Sequence, residues 1–262
     1  ENVVGTISNV NVEGNVVETA KGKVGLIARS LAVNGDKVGT IFNCSAVGSI
    51  EYKNSTLAVG NDLKLINIGG IVGGVYGGKV SLADSDVDIT IATVAGADGK
   101  STAFTPCIGG IVGYVGGCSS LLSCYNIGNV NGNSSSGLIA QVENENTFVA
   151  DNCFMANHNE SNGYGESLST DFMKSDEFVA MLNKYDNYYK KDVEPFVNDG
   201  YPIIDTEKIP AFDIDGTIGV EESVTETNIE IYPNPASDFV KVSTVNGQQS
   251  TVRVYNTLGM LV

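Results

Sequence analysis

The sequence predicts an all-β protein built as a stacked solenoid, and three observations predict it. The six residues Ile68-Gly69-Gly70-Ile71-Val72-Gly73 return as Ile108 to Gly113, a shift of 40 positions. A longer motif, running from Gly5-Thr6-Ile7-Ser8-Asn9 to Val16, lies 34 residues before its partner, which runs from Gly39-Thr40-Ile41-Phe42-Asn43 to Ile50. Asp84, Asp86 and Asp88 alternate with Ser85, Val87, Ile89 and Ile91, a period of two that puts acids on one face of a strand and small or apolar residues on the other. Self-similarity at such spacings marks units that cannot bury their own apolar face and stack on one another.

Length and composition agree with this class. A chain of 262 residues makes one or two domains, and 42% hydrophobic residues furnish a core. Thirty-one glycines with only six prolines suit a turn-rich β protein. Fifteen basic against 31 acidic residues give a net charge of −16, which repels nucleic acid and anionic lipid and excludes both as partners. No run of 18 apolar residues is present, so no segment spans a membrane as a helix. The sequence opens at Glu1 inside a repeat, so a signal peptide and further repeats are expected upstream.

Residues 1–165 are the repeat region. The Gly-Gly pairs inside its apolar runs would cost a helix about 1 kcal/mol per glycine, so these runs are strands. Degenerate copies of the glycine motif stand at Val24-Gly25-Leu26-Ile27-Ala28 and Gly137-Leu138-Ile139-Ala140. Aligned on Gly25, Gly70, Gly110 and Gly137, the copies step by 45, 40 and 27 residues. Looser copies of the second motif begin at Leu82, Leu121 and Ala150. That alignment puts Cys44, Cys124 and Cys153 in one repeat slot with Val10 and Ser85, a small inward-facing position that favours buried free thiols. Cys107 and Cys118 flank one apolar run, and a disulfide between them stays open.

The pattern Gly70-Ile71-Val72-Gly73 and Gly110-Ile111-Val112-Gly113, each followed by a turn and an Ile-x-Asn-Cys type strand, resembles the GLUG repeat of bacterial surface proteins. The resemblance implies a right-handed parallel β-helix, with Gly25, Gly70, Gly73, Gly110, Gly113, Gly137, Cys44, Cys124 and Cys153 as repeat-core residues. It also implies an adhesin-like role beside a host protein or glycan.

Residues 166–205 change character. Ser175 caps a helix predicted to run to about Tyr188, with acids in its first turn and Phe178, Met181 and Leu182 on one face. Asn198-Asp199-Gly200 is a turn before an edge strand at Ile203-Ile204. This segment is expected to cap the open end of the array. Tyr185, Tyr188 and Tyr189 read as packing on the last coil, with a sugar platform as the other reading.

Residues 206–227 form an acidic linker, in which Asp213 and Asp215 are weak calcium candidates. Within residues 228–262, Tyr232-Pro233-Asn234-Pro235 with Asp238, then Val254-Tyr255-Asn256 with Leu258-Gly259, resemble the type A C-terminal sorting domain of the Bacteroidetes type IX secretion system. That resemblance implies a small Ig-like sandwich, here partial because a closing strand is expected after Val262. It implies the secretion machinery as partner and a secreted or cell-surface address.

No catalytic, cofactor or metal signature appears. His158 stands alone in a polar loop, and no His-Glu-x-x-His, phosphate-cradling loop or dinucleotide fingerprint is present. Asp84, Asp86 and Asp88, successive ones ~6.6 Å apart along a strand, are the candidates for paired-carboxylate chemistry on a polysaccharide. Three functions are therefore weighed. They are a noncatalytic adhesin-like surface protein, a structural spacer for an upstream domain such as a peptidase, and a polysaccharide-cleaving enzyme. The first is the expectation, with oligomeric state left open.

Overall fold

The computed structural model describes residues 2–19, 22–53, 66–91, 106–131, 135–209, 230–232 and 241–243. The chain forms two units, Glu1–Ile209 and Pro210–Val262. The sequence readings at Asp213, Asp215 and most of the sorting motif lie outside the described residues.

Within the first unit the chain makes repeated passes over the same strand positions. The first pass gives β1 (Asn2–Val3) and β2 (Thr6–Glu18). The second gives β3 (Lys23–Val24), β4 (Ala28–Asn34), the short β5 (Lys37–Val38) and β6 (Thr40–Tyr52). The third gives β7 (Asn67–Gly69), β8 (Val72–Tyr76) and β9 (Lys79–Ile91). The fourth gives β10 (Cys107–Gly109), β11 (Val112–Gly116), β12 (Ser119–Leu122), β13 (Tyr125–Asn126) and β14 (Val130–Asn131). The fifth gives β15 (Ser135–Ser136), β16 (Ile139–Val142), β17 (Phe148–Asp151) and β18 (Phe154–Ala156). They are followed by β19 (Glu166–Leu168), α1 (Asp176–Leu182), β20 (Tyr189–Lys190) and β21 (Ile203–Ile204).

Each pass pairs in parallel with the next. One sheet runs β1-β4-β8-β11-β16, a second runs β3-β7-β10-β15, and a third is built on β2, β6, β9, β12, β13, β17 and β18. Parallel sheets buried on their inner faces are rich in β-branched residues, and these are. Ile7, Ile41, Val80, Leu121 and Ala150 form one register column, and Val16, Ile50, Ile89 and Val130 another. Leu31, Val75, Val115 and Val142 stack on the first sheet. These columns meet in one core, where Leu31, Ile41, Ile50, Ile68, Ile71 and Ile108 have no exposed surface. Parallel sheets in this arrangement fit a β-helix.

A corner recurs in the third sheet. Asn9, Asn43, Leu82, Ser123 and Asn152 all have positive φ, between 49° and 58°. Each precedes the slot of the repeat cysteines: Val10, Cys44 and Ala83 are register partners, and the pairings on either side carry Cys124 and Cys153 into the same column. This corrects the sequence alignment, which put Ser85 in the slot. Ser85 pairs instead with Ala46 and Asn126. The slip arises because Leu82, unlike Asn, rarely adopts a left-handed conformation, so the break in period at that residue is invisible in the sequence.

A second correction concerns the glycine motif. Val24 pairs with Ile68 and Ala28 with Val72, a step of 44, so Leu26 and not Gly25 occupies the position of Gly70. The backbone ladder agrees, with Leu26 N donating to Gly70 O and Ile27 N to Ile71 O. Gly70, Gly110 and Gly137 leave room for an inward residue of the third sheet on the same pass. A Cβ at Gly70 would stand 2.3 Å from Ser85 Oγ, at Gly110 2.4 Å from Asn126 Cγ, and at Gly137 2.5 Å from Met155 Sδ. Where the corner residue is Leu26, the corresponding register position holds the small Ala46. The two halves of the repeat are therefore matched in size across the interior.

The segment after the last pass divides its work. The loop before β19 and β19 itself cover the terminal edge: Gly137 N donates to Glu160 O, Asn162 Nδ2 to Ile139 O at 2.6 Å, and β19 pairs with β18. The rest of the expected cap lies against the outer flank of the third sheet. There Phe178, Leu182, Tyr189 and Tyr201 form a second core with the outward-facing Leu82, Tyr125 and Phe154. The helix begins as read, with Ser175 Oγ accepting from Phe178 N at 3.2 Å. It ends at Leu182, short of Tyr188, because Asn183 turns its side chain onto Tyr189. Its Nδ2 donates to Tyr189 O and its Oδ1 accepts from Tyr189 N, both at 2.8 Å.

In the second unit, β22 (Glu230–Tyr232) pairs antiparallel with β23 (Lys241–Ser243).

Candidate functional site

The third sheet turns a row of side chains outward at one register: Asn11, Ser45, Asp84, Tyr125 and Phe154. The row changes chemistry along the stack. At its aromatic end Tyr125 and Phe154 meet Phe178 edge-on, with centroids 5.8 and 5.3 Å apart. The Tyr125 hydroxyl donates to Pro202 O and accepts from Asn198 Nδ2. At the polar end Ser45 Oγ donates to Asn11 Oδ1 at 2.8 Å. Asp84 stands at the junction, where the 197–206 segment overhangs the row and encloses a groove of about 590 Å³.

Asp84 is 7% exposed and lines that groove. Burial first, and then the charge of Asp86, push its carboxyl up to about 7, with no hydrogen bond opposing them. Asp86 is half-buried and also raised, by burial and then by Asp88 and Asp199, while His158 pulls the other way. Asp88 is exposed, and its Oδ1 accepts from Asn129 N and Nδ2, both at 2.8 Å. The acids share the outward face as the period predicts, but they are not equivalent. Asp84 opens into the groove, whereas Asp86 stands among the charges of Asp88, Asp199 and His158. The overhanging loop is held by Asp192, whose carboxylate accepts from Val197, Asn198 and Gly200 N. Burial raises that carboxyl, yet the three backbone donors together hold it below the usual range.

The other residues singled out in the sequence fall elsewhere. All five cysteines are free, with Cys118 exposed and the rest buried, so Cys107 and Cys118 are unpaired. The Cys107 thiol donates to Gln141 Oε1 at 2.9 Å. Cys44, Cys124 and Cys153 each donate to the carbonyl two residues earlier, at 3.3, 3.2 and 3.2 Å. Burial, then neighbouring Cys153, hold the Cys124 thiol well above its usual range. Gly25, Gly73 and Gly113 sit at close approaches where a Cβ would come within 2.5 Å of a neighbouring pass. Tyr189 is buried with its hydroxyl on Ser123 O, Tyr188 is half-buried, and Tyr185 is exposed with its hydroxyl on Asp151, so the three make no shared platform.

An aromatic pair missed in the sequence lies on the first sheet. Tyr76 and Tyr114 stand 5.6 Å apart, with Tyr76 lying against Gly74 and both rings close to Gly116. Burial, and then the neighbouring Glu143, raise the Tyr114 phenol, and Lys23 Nζ sits 4.0 Å from the Tyr76 ring centroid. The signal was present as Gly-x-Tyr and Tyr-x-Gly alternation, with the glycines leaving space for a ring to lie flat.

The family model described as Secretion system C-terminal sorting domain matches residues 230–262. Those residues are a type IX sorting domain. The match contains both β22 and β23, and of the sorting motif only the Tyr232 backbone is described; Pro233, Asn234, Pro235, Asp238, Val254, Tyr255, Asn256, Leu258 and Gly259 lie outside the described residues. The sorting domain implies an interaction with the secretion machinery and a secreted or cell-surface destination. No helix among the described residues is long and apolar enough to cross a membrane. No curated protein and no solved structure matches the chain.

Proposed function

We propose that this is an exported, noncatalytic, adhesin-like protein. Its first unit is a right-handed parallel β-helix of GLUG-like repeats, presented outside a Bacteroidetes cell to a host protein or glycan. The sorting domain at 230–262 carries the reading, because it gives the chain an external address. The sorting domain in the second unit is the part of the chain that the export machine recognises.

The first unit supports presentation by its outward polar and aromatic rows. Asn11 and Ser45, and Asn15 and Ser49, are hydrogen-bonded across strands at 2.8 and 2.7 Å, which fixes their amides and hydroxyls in a rigid array. Tyr76 and Tyr114, rimmed by Glu143 and Lys23, add a surface on which the apolar face of a sugar ring stacks. The noncatalytic reading is favoured because, of Asp84, Asp86 and Asp88, Asp84 alone lines the groove. The decisive experiment is a screen of the whole chain against immobilised glycans and extracellular-matrix proteins, with Tyr114→Ala in parallel. Saturable binding weakened by that substitution supports the reading. Cleavage of a polysaccharide abolished by Asp86→Asn overturns it in favour of an enzyme.

A further inference from the structure

The outward row holds one group that the fold leaves unused. Asp84 is more than nine-tenths buried, it lines the groove under the 197–206 segment, and its carboxyl has no hydrogen-bond or ion-pair partner among the described residues. A carboxyl so placed costs desolvation energy that nothing inside the fold returns. The aliphatic side chains beside it are those of Val47, Val197, Ile203 and Ile204. Glu13 is the other ionisable lining residue, and no basic side chain lines the groove. Asn11, Asn43 and Asn198 with their amides, and Ser45 and Thr206 with their hydroxyls, complete the lining. Among the described residues no three His, Cys, Asp or Glu converge as a metal ion needs.

We propose that this groove is a binding site for a lysine side chain of a partner polypeptide, with its methylene stem along the valine and isoleucine walls and its ammonium on the Asp84 carboxylate. Each part of the lining has a counterpart in that ligand. A lysine buries an apolar stem while keeping a compact charge at its tip. The ammonium supplies three donors, one for Asp84 and the others for amide oxygens. A planar guanidinium also pairs with a single carboxylate, through two parallel N–H donors, so a peptide carrying arginine is the competing ligand. The acidic surroundings, Glu13 in the groove and Asp86 two residues along β9, attract a cation and repel an anion. The inference goes beyond export and presentation and rests on the groove alone.

The site is linked to pH. On its own strand Asp84 is faced by Asp86, which in turn meets Asp88, Asp199 and His158. Cys44 and Tyr125 face it from neighbouring strands, and Tyr189 from the flanking segment. Asp192 acts on Tyr125 from the overhanging loop. Binding an ammonium requires the carboxylate form, so affinity rises as pH passes upward through the Asp84 titration.

The test uses the full chain and a blocked pentapeptide, Gly-Gly-Lys-Gly-Gly, followed by calorimetry between pH 6 and 8. The expected result is saturable binding that tightens with pH, weakens by at least about tenfold in Asp84→Asn and is absent for the same peptide carrying acetyl-lysine. Asp88→Asn, which lies outside the groove, keeps wild-type affinity. Ser45→Lys places an ammonium opposite Asp84 on the adjacent strand and is expected to abolish peptide binding without lowering the melting temperature. That variant keeps the test sound if Asp84→Asn fails to fold. Equal binding of the acetylated peptide, unchanged affinity in Asp84→Asn or Ser45→Lys, or no binding at millimolar peptide overturns the proposal. Tighter binding of the arginine analogue overturns its assignment to lysine.

Discussion

Burial and neighbouring Asp86 raise the Asp84 carboxyl to about 7 from an ordinary value of 3.8. The folded chain therefore keeps a proton there that the unfolded chain has already released. The sign follows from linkage: this stability is fully present below the unfolded value and is lost as pH rises through the folded one. Across about three pH units, at about 1.4 kcal/mol each, the loss is on the order of 4 kcal/mol. Thermal melting of the wild type is expected to fall between pH 5 and 8, while Asp84→Asn loses most of that slope. An unchanged slope in the variant would place the dependence on another group. The thiols give a second prediction at this scale. Cys118 is exposed and should react with iodoacetamide in the native state, whereas Cys44, Cys124 and Cys153 should react only after denaturation, as mass spectrometry of labelled peptides would reveal. The small inward slot of those three cysteines was legible from the alignment of Cys44, Cys124 and Cys153 alone. That Ala83 and not Ser85 shares it was not, because the left-handed Leu82 shifts the inside–outside alternation by one residue.

Corners decide which residues the strands and helix accept. A Cβ at Gly70 would lie 2.2 Å from Gly110 O and 2.3 Å from Ser85 Oγ, whereas one at Gly14 meets nothing within 4 Å. Gly70→Ala is expected to destabilise the first unit by roughly 3 kcal/mol or more, and Gly14→Ala to change it by less than about 1 kcal/mol. Urea denaturation of the two variants separates close backbone approach from strand propensity, and comparable losses in both would show that packing at Gly70 is not the cause. The helix start offers a gentler case. Ser175→Ala removes the acceptor of Phe178 N and should cost about 1 kcal/mol. The helix start was readable from local chemistry, Ser175 followed by Asp176 and Glu177. Its early end was not, since Asn183 is drawn away by Tyr189, six residues further on.

For the whole molecule, the sorting domain leads to a prediction about address. Placed behind a leader that carries it to the periplasm of a type IX-secreting host, the chain should reach the culture medium or cell surface, and a version lacking 230–262 should remain in the periplasm. Fractionation with antibody detection measures this, and equal external amounts of both would remove the reason for assigning export to that stretch. Much at this scale stood in the sequence. The parallel pairing of β2 with β6 follows the 34-residue repeat residue for residue, from Thr6 and Thr40 to Glu18 and Tyr52. The sorting motif was equally plain, because its two blocks, Tyr232-Pro233-Asn234-Pro235 and Val254-Tyr255-Asn256, are each contiguous in the chain.

Sequence by itself determined what is local or repeated: strand periodicity, the stacking of like residues, the Ser175 cap and the secretion tag. These properties depend on residues that are near in the chain or that recur at a fixed interval, so their spacing is enough to read them. Only the tertiary structure decided where the segment after the repeats would lie. Its apolar residues Phe178, Leu182 and Tyr189 demanded burial, but an apolar face says nothing about which surface will cover it. It found the outward aromatics Tyr125 and Phe154 on the flank of the third sheet, and its 197–206 end thereby overhung the polar part of the same row. Asp84 consequently became a buried carboxyl beside a groove, because segments more than 100 residues apart in the chain close over it.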